Sequence, residues 1–300
     1  MPSRLGVQEF MVLTSGGVPI FHHALTPKPK LDDLLSGFLT AITSFATEFG
    51  EKSVQRLTFE GSEILYEVPE PGHLFILLVE VGAPSRVLWA ILKDLSRKFL
   101  QTYRMQIEAG IQIEENYLGF ADEVNRAFRY YEKVFVITAG LSPYSVPSLN
   151  RDALKVASET RGLLDEFHRD FGSTGNRVLD AIDGTSTVSK ISERLGLEIQ
   201  EITEIVEYLA VWGVVRLSKL CPILKEKDAR FDTFLDLIGL PQKDYQLLGR
   251  ARPLCNGQRP VEEISEKLGV TAERLYAVLQ QLGDGVKYRL TPIGGLDGET

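Results

Sequence analysis

Residues 7–21 have the sequence VQEFMVLTSGGVPIF. Apolar residues on both sides of the Ser-Gly-Gly segment at 15–17 predict a β-hairpin with strands at 7–14 and 18–22. The two glycines allow the positive φ angles that tight hairpin turns need. Pro19 has no amide hydrogen, which predicts that the second strand lies at a sheet edge or carries a bulge. We therefore expect this hairpin to begin a sheet around which the first part of the chain is built.

The segments that follow the hairpin supply the rest of a two-layer domain. Apolar residues recur at three- and four-residue steps over residues 30–49, which predicts a long amphipathic helix. Three strands are then expected, at residues 54–59, 63–68 and 73–81. The middle strand alternates as a half-buried strand does, and the last is apolar enough to be central. Helices are predicted at 84–103 and 113–135. This order predicts an α/β (α+β) two-layer sandwich with a five-stranded antiparallel sheet.

The LTSGGVPIF hairpin, the amphipathic helix after it and the three later strands resemble the longin domain and its roadblock/profilin-like relatives. The resemblance covers about a third of the chain. It implies a platform that binds proteins, pairs through sheet edges or helix faces, and in many relatives binds or regulates small GTPases or serves vesicle trafficking. It also suggests an archaeal source with eukaryote-like small GTPases. We expect no heptad coiled coil and no C-terminal anchor, which argues against a role in vesicle fusion.

The second half of the chain contains an internal repeat. ISERLGL at 191–197 and ISEKLGV at 264–270 each lie between a short helical segment and a longer one that leads into a strand. This order is typical of winged helix-turn-helix modules. We therefore predict a C-terminal, mostly α region of tandem winged helix-turn-helix modules, each ending in the strand of a wing. Residues 231–238 are expected to form a helix between the modules.

Four segments are expected on this basis. They are a longin-like platform at 1–137, a linker and connecting helix at 138–172, and winged helices at 173–225 and 226–300. Within the second segment, the Gly-, Pro- and Ser-rich residues 138–149 predict a linker or an ordered loop, and 151–171 a helix.

Charge distribution bears on what the modules bind. The helix expected to enter a DNA major groove in the first module carries Glu201, Glu204 and Glu207 and no Lys or Arg, and phosphates would repel it. A protein-binding role is therefore favoured, and these three glutamates are candidate partner-binding residues. The second module is slightly basic, and Arg274, Lys287 and Arg289 are its candidate nucleic-acid contacts. Ordinary solvated charges are the favoured interpretation of those three.

Aromatic residues on the last helix of the platform are a further candidate partner-binding patch. These are Phe128, Tyr130 and Tyr131. Packing inside the domain is the favoured alternative, because apolar residues at helical spacing are usually buried.

Composition restricts the classes of function. The chain has 300 residues, 44% of them hydrophobic, and a net charge of −8, which argues against a dedicated nucleic-acid binder. Its two cysteines, Cys221 and Cys255, fall in different modules, so we expect no disulfide and a cytoplasmic location. No catalytic set, metal site, cofactor motif or P-loop is present in the sequence. No transmembrane or signal segment is expected either, and peripheral membrane association stays open.

Three functional hypotheses remain. The first is a non-enzymatic adaptor that binds proteins, with a small GTPase as one candidate partner. It would form a homodimer or heterodimer through sheet edges. The alternative is a DNA-binding transcription regulator with an N-terminal sensory or dimerisation domain. An enzyme or sensor with a pocket between sheet and helices has no residue set to support it.

Overall fold

The computed structural model describes residues 4–27, 37, 56–69, 72–159, 163–224 and 239–294. The chain divides into two compact units, Met1–Val136 and Ile137–Thr300. The predicted helix at 30–49 lies outside the described residues, apart from Gly37, which is helical. The predicted helix at 231–238 also lies outside them.

The first unit is built on the predicted five-stranded antiparallel sheet. Its strands are β1 (Val7–Leu13), β2 (Pro19–Ala24), β3 (Arg56–Phe59), β4 (Ser62–Glu67) and β5 (Leu74–Val79). Their order is β2-β1-β5-β4-β3, so β5 is central as predicted. The opening hairpin is confirmed, and β2 is an edge strand. The register shifts between Val12 and Leu13, opposite Pro19, so the strand also carries the expected bulge.

The prediction that β4 is half-buried was wrong. Ile64, Leu65 and Tyr66 are all completely buried, so both faces of the strand are covered. The polar residues that suggested a solvent face are bonded to other groups. Glu63 forms an ion pair with Arg56 at 2.7 Å, and Glu67 accepts a hydrogen bond from the Ser96 hydroxyl. Partners of this kind make the burial of a carboxylate tolerable.

The helices of the first unit are α1 (Ser85–Thr102), α2 (Arg104–Glu108) and α3 (Ala121–Ala139). The predicted helix at 113–135 begins too early, because Glu114–Asn116 and Leu118–Phe120 are separate 3₁₀ turns. Tyrosine hydroxyls hold these turns in place. Tyr103 donates to the carbonyl of Tyr117 at 3.3 Å, and Tyr117 donates to that of Ile111 at 2.6 Å.

One face of this sheet packs against an aromatic cluster. Phe10 and Phe75 from the strands, Phe99 from α1 and Phe120 from the second turn are all buried, with Phe99 and Phe120 at a centroid distance of 5.1 Å. Rings in such edge-to-face contacts contribute about 0.5–1.5 kcal/mol per pair beyond the area they bury. The cluster therefore fixes α1 and the 3₁₀ turns against the strands.

The second unit begins with β6 (Val146–Leu149), α4 (Arg151–Glu159) and α5 (Leu163–Ala181). Residues 138–149 are thus not only a linker or loop, since they contain a strand that pairs with β7. The strand has four residues, one of them Pro147, so its local sequence signal is weak. Gly172 interrupts α5 with a φ of 53°, at the position where the connecting helix was expected to end.

In each repeat a short helix that ends in glycine and a longer helix lead into a strand, as predicted, and a further helical segment precedes them. The first comprises α6 (Val188–Leu195), α7 (Ile199–Val211) and β7 (Val215–Leu224). The second comprises α8 (Gln242–Ala251), α9 (Val261–Leu268), α10 (Ala272–Gln281) and β8 (Val286–Pro292). Both α6 and α9 end at a glycine in the left-handed region, Gly196 and Gly269.

The repeat extends to individual hydrogen bonds. Arg177 donates to the carbonyl of Leu195 at 2.9 Å, and Arg250 donates to that of Leu268 at 2.7 Å. Each residue of the second bond lies 73 positions after its counterpart, 250 against 177 and 268 against 195. An arginine from the preceding helical segment thus satisfies the same free carbonyl in both modules.

The prediction that each module ends in its own wing was wrong for the described residues. β7 and β8 pair with each other in a sheet of order β6-β7-β8. Gly257, in the loop before α9, also donates its amide to the Pro222 carbonyl of β7 at 2.9 Å. The two modules therefore share one sheet.

This sharing gives β7 a place in both cores. Val215 and Leu217 belong to the core of the first module, whereas Leu220 and Leu224 belong to the core of the second. Successive side chains of a strand point to opposite faces. The β7 residues in these cores occupy odd-numbered positions up to Leu217 and even-numbered positions from Leu220, so they point first into one core and then into the other.

Candidate protein-interaction surfaces

The edge of the first sheet at β3 is open. Among the described residues β3 pairs with β4 alone, and Arg56, Thr58 and Phe59 are exposed. Phe59 exposes 42% of its surface. An edge strand with free backbone donors and acceptors can accept a strand from another chain.

The opposite edge, at β2, is less accessible. The 3₁₀ turn Glu114–Asn116 contacts this strand, and Nε2 of His23 is hydrogen-bonded to Oδ1 of Asn125 at 3.2 Å. His22 lies on the other face, bonded to the buried Glu9 carboxylate at 2.8 Å. Of the two edges, β3 therefore offers the more open surface.

The three aromatic residues of α3 lie in different environments. Phe128 and Tyr131 are buried, at 6% and 3% exposure, and the Tyr131 hydroxyl donates to the Ala90 carbonyl at 3.4 Å. Burial raises the pKa of Tyr131 far above its usual value. Tyr130 exposes 43% of its surface and is the member of the three that a partner could contact directly.

The three glutamates of α7 are accessible to different degrees. Glu201 is exposed, whereas Glu204 and Glu207 are partly buried. Burial raises the pKa of Tyr208 to about 12. The carboxylates of Glu166 and Asp170 act in the same direction, and Arg169, which forms an ion pair with Asp170, acts against them. The surface of the second unit beside α7 therefore carries mainly acidic residues around the partly buried Tyr208.

The three candidate nucleic-acid contacts are not equivalent. Arg274 forms an ion pair with Asp244, whose side chain is 3% exposed, so its guanidinium already has a partner. Lys287 and Arg289 are exposed and alternate along β8. Lys219 of β7 shares their sheet face, because it lies opposite Thr291 in the register.

Sequence reasoning missed Lys219 as part of this group. The alternation of Lys287 and Arg289 in VKYRL was visible in the sequence, but only the pairing of β7 with β8 brings Lys219 to the same face. We refer to Lys219, Lys287 and Arg289 as the basic face of the sheet.

Several kinds of site find no support in the described parts of the chain. No group of three or more His, Cys, Asp and Glu residues there could hold a metal ion. Helices in the same parts are too short or too polar to cross a membrane. Cys221 and Cys255 are free and buried, and burial raises the pKa of the Cys255 thiol to about 12.

Comparison with known proteins gives weak structural matches. No protein-family model and no curated protein matches the chain. A crystal structure of a Roadblock/LC7 domain from Streptomyces avermitilis is similar at 17% identity and a TM-score of 0.28, covering 33% of this chain and 86% of that chain. A structure of MglB with tetrameric arrangement is similar at 20% identity and a TM-score of 0.23, covering 27% and 65% of the two chains. Values this low assign the chain to no family and no function.

Proposed function

We propose that the chain is a non-enzymatic adaptor in the cytoplasm of an archaeal trafficking-like or signalling system. Residues 1–137 would be a longin-like platform that binds partner proteins, with a small GTPase as the candidate partner. The repeats would be modules of winged-helix type that share one sheet in place of separate wings and also bind protein. The open edge of β3 carries this proposal, because its exposed strand and Phe59 form a surface suited to a partner's strand.

Two further observations support a protein partner. Phe59 is a large apolar side chain at the surface, and aromatic anchors contribute strongly to protein interfaces. In the second unit, the acidic surroundings of α7 would repel nucleic-acid phosphates and suit a basic protein surface. Pairing of two copies through β3 would form the homodimer expected from the sequence, and it would compete with a partner's strand for the same edge.

Calorimetric titration of the full chain tests this function. The titrants are the small GTPases of the source organism, each loaded with GDP or with a non-hydrolysable GTP analogue. We expect saturable binding of at least one GTPase. Heats equal to those of dilution for every GTPase in both nucleotide states would overturn the GTPase part of the proposal. Sedimentation of the chain alone separates a homodimer from a monomer.

A DNA-binding regulator is the second candidate, and the exposed Lys287 and Arg289 favour it. A gel shift on genomic fragments at low and moderate salt distinguishes the two functions. Retention that falls steeply as salt increases would support the regulator, because it reports release of counterions from phosphates. We expect no retention, since Arg274 is paired and α7 is acidic.

A further inference from the structure

The outer edge of β8 is a second open strand edge, and the proposed function does not use it. β8 pairs with β7 on one side, and within the described ranges no strand pairs with its other side. Five of its seven residues are exposed: Lys287, Arg289, Leu290, Thr291 and Pro292. A strand edge of this length offers a row of backbone donors and acceptors to another extended chain.

Hydrogen bonding shows which backbone groups face outward. The amide of Ile293 donates to the Leu217 carbonyl of β7 at 2.9 Å. The N–H and C=O groups of successive residues in a strand point to opposite sides, so the amides of Tyr288 and Leu290 face away from β7. Pro292 falls in the same outward set, where its missing amide costs no bond to β7. The outward groups of Tyr288 and Leu290 are therefore the ones an added strand would bond.

The same alternation determines which side chains an added strand would meet. If the added strand is antiparallel to β8, Lys287 and Arg289 lie at non-hydrogen-bonded positions of the new pair. There the Cα atoms of facing residues are about 4.5 Å apart and side chains are closest. Both cations are exposed on the basic face, and Lys219 lies on the same face of β7, opposite Thr291 and one pair beyond Arg289. Carboxylates at every second position of an added strand would face both cations.

The geometry points to an acidic extended segment of a partner protein that adds to β8 as a fourth strand. In this segment Glu or Asp alternates with apolar residues, the carboxylates facing Lys287 and Arg289. The apolar residues lie on the side of Leu290, which exposes 40% of its surface. This inference concerns the second unit and does not depend on whether the first unit binds a GTPase.

Two other occupants fit the edge less well. Full antiparallel overlap of β8 with a second copy of itself centres on Arg289, and like charges directly opposite each other are destabilising. A nucleic acid needs a broad basic surface, whereas the basic face has three cations on a chain with a net charge of −8. An acidic strand matches both the charges and the free backbone groups.

Fluorescence anisotropy with the full chain tests the inference. The probe is a fluorescein-labelled peptide, GSEVEVEVSG, at low salt. The controls are GSKVKVKVSG, which reverses the charge, and GSEPEPEPSG, which keeps the charge but replaces the amides that β8 would bond. We expect saturable binding of the first peptide and at least tenfold weaker binding of both controls.

Variants of the chain place the binding at β8. Arg289→Glu should weaken binding of the acidic peptide by about tenfold, because it replaces attraction by repulsion. Leu290→Pro should do the same by removing an outward amide, and Leu290→Ala, which keeps that amide and loses only the side chain, should weaken binding less than Leu290→Pro does. Arg216→Glu is the matched control, since Arg216 is exposed on β7 outside the basic face.

Several results would overturn the inference. Equal binding of GSEPEPEPSG would exclude strand pairing, and equal loss in Arg216→Glu would indicate only a general charge effect. Binding of a labelled DNA duplex of about 20 base pairs in preference to the peptide, abolished by Arg289→Glu, would assign the face to nucleic acid instead. If Leu290→Pro does not fold, the three peptides and Arg289→Glu still decide whether an acidic strand pairs with β8.

Discussion

Arg177 and Arg250 make the same hydrogen bond in the two repeats, to the last carbonyls of α6 and α9. A guanidinium at a helix C-terminus stabilises through the bond and through the helix dipole. We expect Arg250→Met to lower the free energy of unfolding by about 1.5 kcal/mol, because its bond is partly buried. Arg177→Met should cost less, because its bond is exposed and screened by solvent.

Urea unfolding followed by circular dichroism measures both losses. Arg216→Met is the control, because Arg216 is an exposed arginine of the same unit for which we expect a change within about 0.5 kcal/mol. A loss in Arg216→Met as large as that in Arg250→Met would show that the carbonyl bond is not the cause.

We expect Asp183 to make the stability of the first repeat sensitive to acid. Its carboxylate accepts hydrogen bonds from the amide and hydroxyl groups of Thr185 and Ser186, at 2.7–3.0 Å. Burial acts to raise the pKa of Asp183, but these bonds outweigh it and hold the pKa well below its usual range. The unfolded state then binds the proton more tightly, so the stabilisation is present above about pH 4 and is lost as pH falls below it.

Unfolding of Asp183→Asn as a function of pH tests this assignment. We expect the variant to be less stable than the parent at pH 7 and to lose less stability between about pH 4 and pH 2. Asp180→Asn, at an exposed aspartate in the last turn of α5, three residues before Asp183, should retain the parent's acid dependence. An unchanged acid dependence in Asp183→Asn would contradict the role given to this carboxylate.

Among the elements, β7 is the one that couples the two repeats, because its side chains enter both cores. Leu217→Ala removes a side chain from the first core and should cost about 2–5 kcal/mol. We expect it also to accelerate modification of the Cys255 thiol, which lies in the second core. The rate is measured with a thiol-reactive disulfide reagent in a Cys221→Ala background, so that Cys255 alone reacts.

Val156→Ala serves as the control for this coupling, since Val156 exposes 61% of its surface. It should leave the reaction rate of Cys255 close to that of the parent. If Leu217→Ala destabilises the first module while Cys255 reacts at the parent rate, the two modules open independently and the shared sheet does not couple them.

The elements that sequence reasoning predicted well are those whose signals are local. The hairpin at residues 7–21 has its turn glycines and Pro19 within a few residues of each other. The repeat is visible because ISERLGL and ISEKLGV are nearly identical. Pairing of β7 with β8 joins residues about 70 positions apart, and no local pattern encodes it. The wing predicted for each module was wrong because the analogy with helix-turn-helix modules predicts a strand paired with its neighbour in sequence. In the structure β7 pairs with β8, which lies far along the chain.

Prediction of the candidate surfaces had the same limit. Glutamate spacing on α7 was visible in the sequence, but the buried partner of Arg274 was not, because Asp244 lies 30 residues away. Likewise, Phe128 and Tyr131 differ from Tyr130 in burial although all three lie within one turn of α3. The spacing of residues in the sequence predicts which side chains share one face of a helix. Only packing against other elements determines which of them stay accessible to solvent.

At the scale of the whole molecule, the chain combines two units. In the described residues, each unit has a strand edge with which no other strand pairs, β3 in the first and β8 in the second. Two independent edges suit an adaptor, because each can bind an extended segment of a different protein. The edge at β3 carries the proposed function, and its exposed anchor is Phe59.

The most direct test of the central claim is the affinity of the full chain for the proposed small GTPase partner, measured in a matched pair of variants. Phe59→Asp removes an apolar anchor at the β3 edge, and Val18→Asp makes the same kind of change at the opposite edge, where Val18 exposes 44% of its surface. We predict that calorimetry will show a Kd raised at least about tenfold by Phe59→Asp and changed less than about twofold by Val18→Asp. Equal affinities for the parent and Phe59→Asp would contradict the claim that the β3 edge is the binding platform.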